Sequence, residues 1–240
     1  MAVPAVFITG TDTGVGKTVV AAVLARLLKL RGMRVGVMKP VTSGCLVDAQ
    51  GCHSEDAELL AWAADVPVDR DLAPYCLQEP IAPSVAATRE GVRIDFGAIQ
   101  QAFERVSARS DFVIVEGAGG LMVPLNGGLL VADLINQLKL PLLVVARPNL
   151  GTINHTLLTC FAARQLGLDL RGVIVNDYPD PPDLAAEYAP HLIDSLSGAP
   201  LLGLFPHHPG GDLHVIVDGL AKRLLREPST QILLREIGCA

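Results

Sequence analysis

Lysine is scarce in this chain: 240 residues carry only five, at positions 17, 29, 39, 139 and 222. Lysine and arginine together number 19 against 25 acidic residues, for a formal net charge of -6. A sequence-independent grip on nucleic acid or on an anionic membrane needs clustered cations, so both are excluded as partners. Any anionic ligand must instead be met by a few local groups. No run approaches the roughly 20 apolar residues of a membrane-spanning helix. The N-terminus has no basic start and no small-residue cleavage pattern, so no secretory signal is expected. The cysteines at 45, 52, 76, 160 and 239 are odd in number and scattered. That excludes a disulfide framework and points to unpaired thiols in a reducing cytoplasm. Cys45, Cys52 and His53 lie close together, but the second ligand group that a four-coordinate zinc requires is missing nearby.

What is present is core-forming material: 50% hydrophobic and 18% charged residues, a balance incompatible with disorder, collagen or coiled coil. Short β-branched-rich runs alternate with helical stretches, the pattern of βα units around a parallel sheet buried on both faces. Six strands are predicted, at 5–9, 34–38, 112–116, 142–146, 172–176 and 201–205. Between 17 and 31, Val20, Val23, Leu24, Leu27 and Leu28 recur at helical spacing, and Gly32 closes that helix. Ser54 is read as the cap of a helix reaching Asp65, and Asp95 as the cap of one reaching about Arg109. Further helices are placed near 131–139, 153–166, 184–196 and 213–225. With no repeat or low-complexity linker, the expectation is one α/β domain over 1–240, of the P-loop NTPase type, with helices on both faces of a mostly parallel sheet. The tail from about 226 carries no readable motif.

In open parallel sheets the ligand crevice lies at the carboxyl ends of the strands, and here polar, glycine-rich segments gather on that edge. The first strand runs into Gly-Thr-Asp-Thr-Gly-Val-Gly-Lys-Thr at 10–18, which then opens a helix. This is a variant phosphate loop: the strict pattern wants glycine at position 11, where this chain has Thr11. Its working parts are kept. Gly14 and Gly16 let backbone N–H groups converge, the helix dipole favours an anion, Lys17 reaches the terminal phosphates and Thr18 offers a hydroxyl to Mg2+. Mg2+ also takes one or two carboxylates. Glu116, closing the third strand, is one candidate; Asp56 could equally pair with the dipole of its own helix. Lys39 ends the second strand beside this loop, followed by the hydroxyls of Thr42 and Ser43, and is read as a second contact for an anion.

With those segments in view, the chain resembles the dethiobiotin synthetases. The match runs in order through 10–18, Lys-Pro-Val-Thr-Ser-Gly at 39–44, Ser-Glu-Asp-Ala at 54–57, Glu-Gly-Ala-Gly-Gly at 116–120, Gly-Thr-Ile-Asn-His at 151–155 and Asn-Asp at 176–177. The resemblance implies an ATP-dependent cyclo-ligase of biotin biosynthesis, cytoplasmic and homodimeric, that joins CO2 to 7,8-diaminononanoate and closes the ring, releasing ADP and phosphate. It implies that Thr13, Gly14, Val15, Gly16, Lys17 and Thr18 hold the ATP phosphates, and that Thr18, Asp56 and Glu116 bind Mg2+. Lys39 and Lys17 become the catalytic lysines. Gly117, Ala118 and Gly119 border nucleotide and substrate, and Asn176 with Asp177 meets the adenine, Asn176 being able to donate and accept at once. Thr11, Ser43, Gly119, Asn154 and Tyr188 join Lys39 as substrate contacts, Asn154 and Tyr188 across the subunit interface. The loop at 206–214, with His207 and His208, matches only loosely. The alternative is a nucleotide switch of the partition ATPase type. Those proteins carry an extra lysine near the start of the loop, where this chain has Asp12. An amide ligase of the cobyrinic acid type would need a glutaminase domain for which there is no room.

Overall fold

A computed structural model of the chain describes residues 3–49, 51–208 and 210–239. The predicted strands all form and all pair in parallel. They are β1 (Ala5–Gly10), β2 (Val35–Met38), β7 (Phe112–Gly120), β10 (Leu142–Ala146), β11 (Leu170–Tyr178) and β12 (Leu201–Pro206), in the order β12-β11-β10-β1-β7-β2. Between β2 and β7 lie four strands of three residues each, β3 (Val41–Ser43), β4 (Leu46–Asp48), β5 (Gly51–His53) and β6 (Tyr75–Leu77). The strands β8 (Pro124–Asn126) and β9 (Leu129–Leu130) form a hairpin after β7.

Side chains alternate across the sheet with the period of two that a strand imposes. Val6 and Ile8 of β1, Ile114 of β7, Leu143 and Val145 of β10 and Ile174 of β11 enter one core, with residues of α1 (Lys17–Leu30), α2 (Glu55–Ala64) and α8 (Leu213–Arg226). Phe7, Val113, Val115, Leu142, Val144 and Val173 enter the other. They meet α3 (Pro83–Arg89), α4 (Phe96–Ala108), α5 (Val131–Leu138), α6 (Thr152–Gln165) and α7 (Leu184–Leu196). Both faces are thus covered, which is why these strands read as near-continuous apolar runs.

Local chemistry sets the helix limits. The Ser54 hydroxyl accepts from the Ala57 N–H at 3.2 Å, and Asp95 accepts from the Gly97 N–H at 2.8 Å, so both expected caps form. Beyond Glu116 the third main strand does not become a loop. It continues to Gly120, which pairs with Gly10 after a bulge in β7. Likewise β11 runs past Asn176 through Asp177, whose backbone is left-handed (φ 61°). The short helix α9 (Thr230–Glu236) occupies the tail that had no motif; Leu233, Leu234 and Ile237 from it and its end are buried in the α1 core. Replacing Leu234, which is fully buried, by alanine is expected to lower the unfolding free energy by about 2–5 kcal/mol. Urea denaturation would read this as a lower midpoint at unchanged slope, and an unchanged midpoint would show that the tail is not part of the cooperative core.

Candidate active site

The chain passes from β1 two strands over to β2, returns through β7 beside β1, and then continues on the other side with β10. Connections leave β1 and its neighbours in opposite directions, so a crevice opens at their carboxyl ends. Residues 11–16 fill its floor. Gly14 (φ 74°) and Gly16 (φ 86°) take left-handed backbone that glycine adopts without strain. Gly16 is the N-cap of α1 and offers no side chain to the first-turn N–H groups. Those donors are therefore free for an anion. A Cβ on Gly16 would strike the amide nitrogen of Asn176, and that amide donates to the Val15 carbonyl at 3.2 Å. The end of β11 is thereby pinned to the phosphate loop. Asp12 accepts from the Thr13 N–H at 2.7 Å and pairs with Arg147 at 2.9 Å, while its carbonyl accepts from Lys17 Nζ at 3.0 Å.

Four polar side chains from four elements converge above this loop. The register that sets Met38 beside Val115 brings the next residues, Lys39 and Glu116, together. Lys39 Nζ stands 2.5 Å from Glu116 Oε1 and 2.8 Å from Asp56 Oδ2, and the Thr18 hydroxyl donates to the same Glu116 oxygen at 2.8 Å. Glu116 is 0% exposed, Lys39 4% and Lys17 6%. Burial pushes the Glu116 carboxyl above its usual range, against the opposing pull of Lys39. For Lys39 burial acts downward, but the carboxylates of Glu116 and Asp56 outweigh it and hold the ammonium above its ordinary value. Asp56 is lowered: burial is outweighed by its pairing with Lys39. Lys17 is lowered to about 8, chiefly by burial, with the charge of Glu116 only partly opposing.

The donor set suits a hard divalent cation. Glu116 Oε2 is buried and has no hydrogen-bond partner among the described residues, an orphaned acceptor that a native structure must account for. With Thr18 Oγ1 and Asp56 beside it, the group supplies one hydroxyl and two carboxylates on the phosphate side of the crevice.

A cavity of about 750 Å³ extends from the loop across Lys39 to the far wall. Thr13, Gly14, Gly16, Lys17, Thr18, Ser43, Asp56, Ala118 and Gly119 line it with Lys39 and Glu116. Val15 is buried under the loop, and Gly117 packs so closely that a Cβ would sit 2.7 Å from Phe7. Asp177 lies exposed beyond Asn176 and accepts from His207 Nδ1 at 2.6 Å. Thr11 is held by its N–H to the Val145 carbonyl at 2.9 Å and is not among the residues lining the cavity. Asn154 on α6 and Tyr188 on α7 are exposed and lie apart from it within one chain. The wall that sequence reasoning missed is Pro80–Ile81–Ala82–Pro83 at the start of α3. Pro83 at the first helical position was the available signal.

A family model described as an AAA domain matches residues 4–212. The ATP-dependent dethiobiotin synthetase of Bacillus licheniformis is 44% identical over 202 residues, covering 83% of this chain and 84% of its own. Those of Methanococcus vannielii (45% over 175 residues, 73% and 80% covered) and Aromatoleum aromaticum (44% over 208 residues, 86% and 92% covered) are similarly close. The chain belongs to the dethiobiotin synthetase family. Among solved structures, a ParA family ATPase from Chlorobium tepidum superposes with a TM-score of 0.58 at 15% identity over 100% of this chain and 99% of its own. The MinD protein of Aquifex aeolicus, in its complex with MinC, gives 0.58 at 17% identity over 98% and 94%. At those identities the likeness is one of fold, a P-loop parallel sheet, whereas the dethiobiotin synthetases share 44–45% of their sequence with this chain over most of its length.

The buried ion pair makes a sharp energetic expectation. Lys39→Met leaves Glu116 as an uncompensated buried carboxylate and should cost about 3–5 kcal/mol of unfolding free energy. Adding Glu116→Gln to that variant should recover a large part of the loss. Urea unfolding of the two single variants and the double would decide it: simple additivity would mean that the pair is not coupled.

Proposed function

We propose that this chain is an Mg2+-dependent dethiobiotin synthetase, which carboxylates 7,8-diaminononanoate with CO2 and closes the ureido ring at the expense of ATP. The observation that carries the reading is the pair of buried lysines lining one cavity, Lys17 at the phosphate loop and Lys39 between that loop and the wall of Thr42 and Ser43. A phosphate-binding module needs only the first.

The reaction must bring a carbamate anion to the γ-phosphate. Two unit charges 4 Å apart at an effective dielectric of 20 repel by about 4 kcal/mol, and more than one charge is involved. Lys17, Lys39 and the free amides of the α1 N-terminus are aimed at that repulsion, and at the charge that spreads over the transferring phosphoryl group. When bound, Mg2+ supplies further neutralisation of the phosphate charge, and Thr18, Asp56 and Glu116 are the residues that would hold it. Lys39 is already fixed by two carboxylates, so it needs no reorganisation as charge develops. No general base is required, because the departing phosphate can take the proton of the attacking amine.

Asn176 and Asp177 are assigned to the adenine, Thr11, Ser43 and Gly119 to the substrate near Lys39, and Asn154 and Tyr188 to its carboxylate tail in a homodimer. Support for pairing comes from the apolar surface of α6 and α7, where Leu158, Phe161, Leu184 and Tyr188 are 57%, 54%, 75% and 61% exposed. One catalytic unit per chain and a reducing cytoplasmic setting complete the proposal; five unpaired cysteines support the latter. No helix among the described residues is long and apolar enough to cross a membrane.

Phosphate release from MgATP and bicarbonate should require the diamine and match the dethiobiotin formed, checked by product mass. Lys39→Met, in material shown to be folded by circular dichroism, should turn over on the order of 100-fold more slowly with nucleotide affinity nearly kept. Phosphate release indifferent to the diamine would sink the assigned substrate. A second expectation concerns Lys17, which titrates at about 8 in the free chain. A bound triphosphate raises it again, so nucleotide binding at about pH 9 should take up nearly one proton per site, against almost none from this group at pH 7. Titration calorimetry in buffers of different ionisation enthalpy measures the uptake directly.

A further inference from the structure

The parallel register that joins β1 to β10 extends past the ends of both strands. Gly10 lies beside Val145, and the Thr11 N–H donates to the Val145 carbonyl at 2.9 Å. Two residues on from that pair, Asp12 and Arg147 meet, with Arg147 Nη2 donating to Asp12 Oδ2 at 2.9 Å. Asp12 is the hub of the first turn of the phosphate loop. Its other carboxylate oxygen accepts from the Thr13 N–H at 2.7 Å, and its carbonyl accepts from Lys17 Nζ at 3.0 Å. The packing is close: a Cβ on Gly10 would sit 2.8 Å from the Asp12 carbonyl oxygen and 3.1 Å from Lys17 Nζ. A carboxylate in a loop built to receive a triphosphate repels its own ligand. Among the described residues, Arg147 is the one cation in an ion pair with it.

We propose that Arg147 is a positioning residue for the phosphate loop, acting on the nucleotide through Asp12. It neutralises the Asp12 carboxylate and ties it to the β10 side of the loop, so that the carboxylate neither repels the phosphates nor captures Lys17. In the free chain Lys17 is therefore held by a carbonyl, a weaker partner for an ammonium than a carboxylate, and can pass to a phosphate oxygen. The arrangement mirrors the other flank of the crevice. There the register of β2 with β7 brings Lys39 to Glu116; here the register of β10 with β1 brings Arg147 to Asp12. Two observations separate this role from others. The Arg147 and Asp12 side chains are 41% and 50% exposed, and pairs so exposed add little to stability, so holding the fold together does not account for the contact. Nor is Arg147 among the residues lining the cavity, so its effect on the phosphates passes through Asp12. The inference rests on the nucleotide-binding half of the proposed function and not on the diamine.

Titration calorimetry of the whole chain with the Mg2+ complex of the β,γ-imido analogue of ATP tests the role, beside steady-state phosphate release with ATP. Arg147→Gln should raise the dissociation constant on the order of tenfold, the effect of one uncompensated charge near the phosphates. Its kcat at saturating ATP should stay within about twofold of the parent, the pattern of a change confined to binding. Arg147→Lys should recover most of the affinity. The loss should shrink between about 0.05 M and about 0.5 M salt, because a half-exposed charge is screened. Adding Asp12→Asn to Arg147→Gln removes the stranded carboxylate and should return the dissociation constant to within about threefold of the parent. A double variant as weak as Arg147→Gln would overturn action through Asp12, as would a loss indifferent to salt. Unchanged affinity in Arg147→Gln would remove the residue from the loop's function. Phosphate release that ignored the diamine would sink the ligase reading while leaving these affinities, and the role of Arg147, standing.

Discussion

The contact between Lys39 and Glu116 exists because β2 and β7 run parallel in one register and both end where the crevice opens. Taking either charge from water costs several kcal/mol even after relaxation, and a hydrophobic pair of the same volume is often as stable or stabler. The arrangement is retained at that cost, and it accounts for the surrounding structure. Asp56 must come from a third element to share the ammonium, so Ser54 must cap α2 where it does. Thr18 must begin α1 beside Glu116, so the phosphate loop must turn within six residues of β1. One ammonium thus couples two strands, the start of α2 and the nucleotide loop into a rigid frame.

The strand order supplies what the ion pair cannot. With β1 between β7 and β10, the loop after β1 lies where neighbouring connections diverge, and the first turn of α1 points its uncapped N–H groups into that gap. Asn176 closes the other side by reaching the Val15 carbonyl over the place where Gly16 lacks a side chain. Each group is tied to a buried element rather than to a loop alone, which keeps donors in place before any phosphate arrives. The far wall is different in kind. It is made of three-residue strands and a proline-bounded helix start.

Much of the frame was legible before any coordinates. Buried parallel strands are apolar on both faces, so six of them stand out as β-branched runs, and the caps Ser54 and Asp95 mark helix starts because a side chain there must accept an N–H. The phosphate loop is legible for the same reason: glycines and a Gly-Lys-Thr triplet between a strand and a helix have few other uses. The short strands β3 to β6, the hairpin of β8 and β9, and the helices α3 and α9 were not legible, since two to seven residues carry too little periodicity to separate from loops. The extension of β7 through Gly117–Gly120 was hidden by its glycines, which read as a turn, whereas a bulge in β7 lets Gly120 pair with Gly10. Asn154 and Tyr188 were reached only through family resemblance, and within one chain they stand away from the cavity.

Composition and local pattern alone determined that this is an α/β protein with a phosphate loop, few lysines and no basic surface, because helix and strand periods, caps and glycine turns are properties of neighbouring residues. They also supplied the candidates Lys17, Thr18, Lys39 and Glu116, each at the end of a recognisable element. Only the tertiary structure decided that Lys39 lies between Glu116 and Asp56, that Glu116 Oε2 is left buried without a partner among the described residues, and that Arg147 pairs with Asp12. Those facts depend on strand order, register and burial, which arise from contacts between segments tens of residues apart, and no local pattern encodes the distance between them.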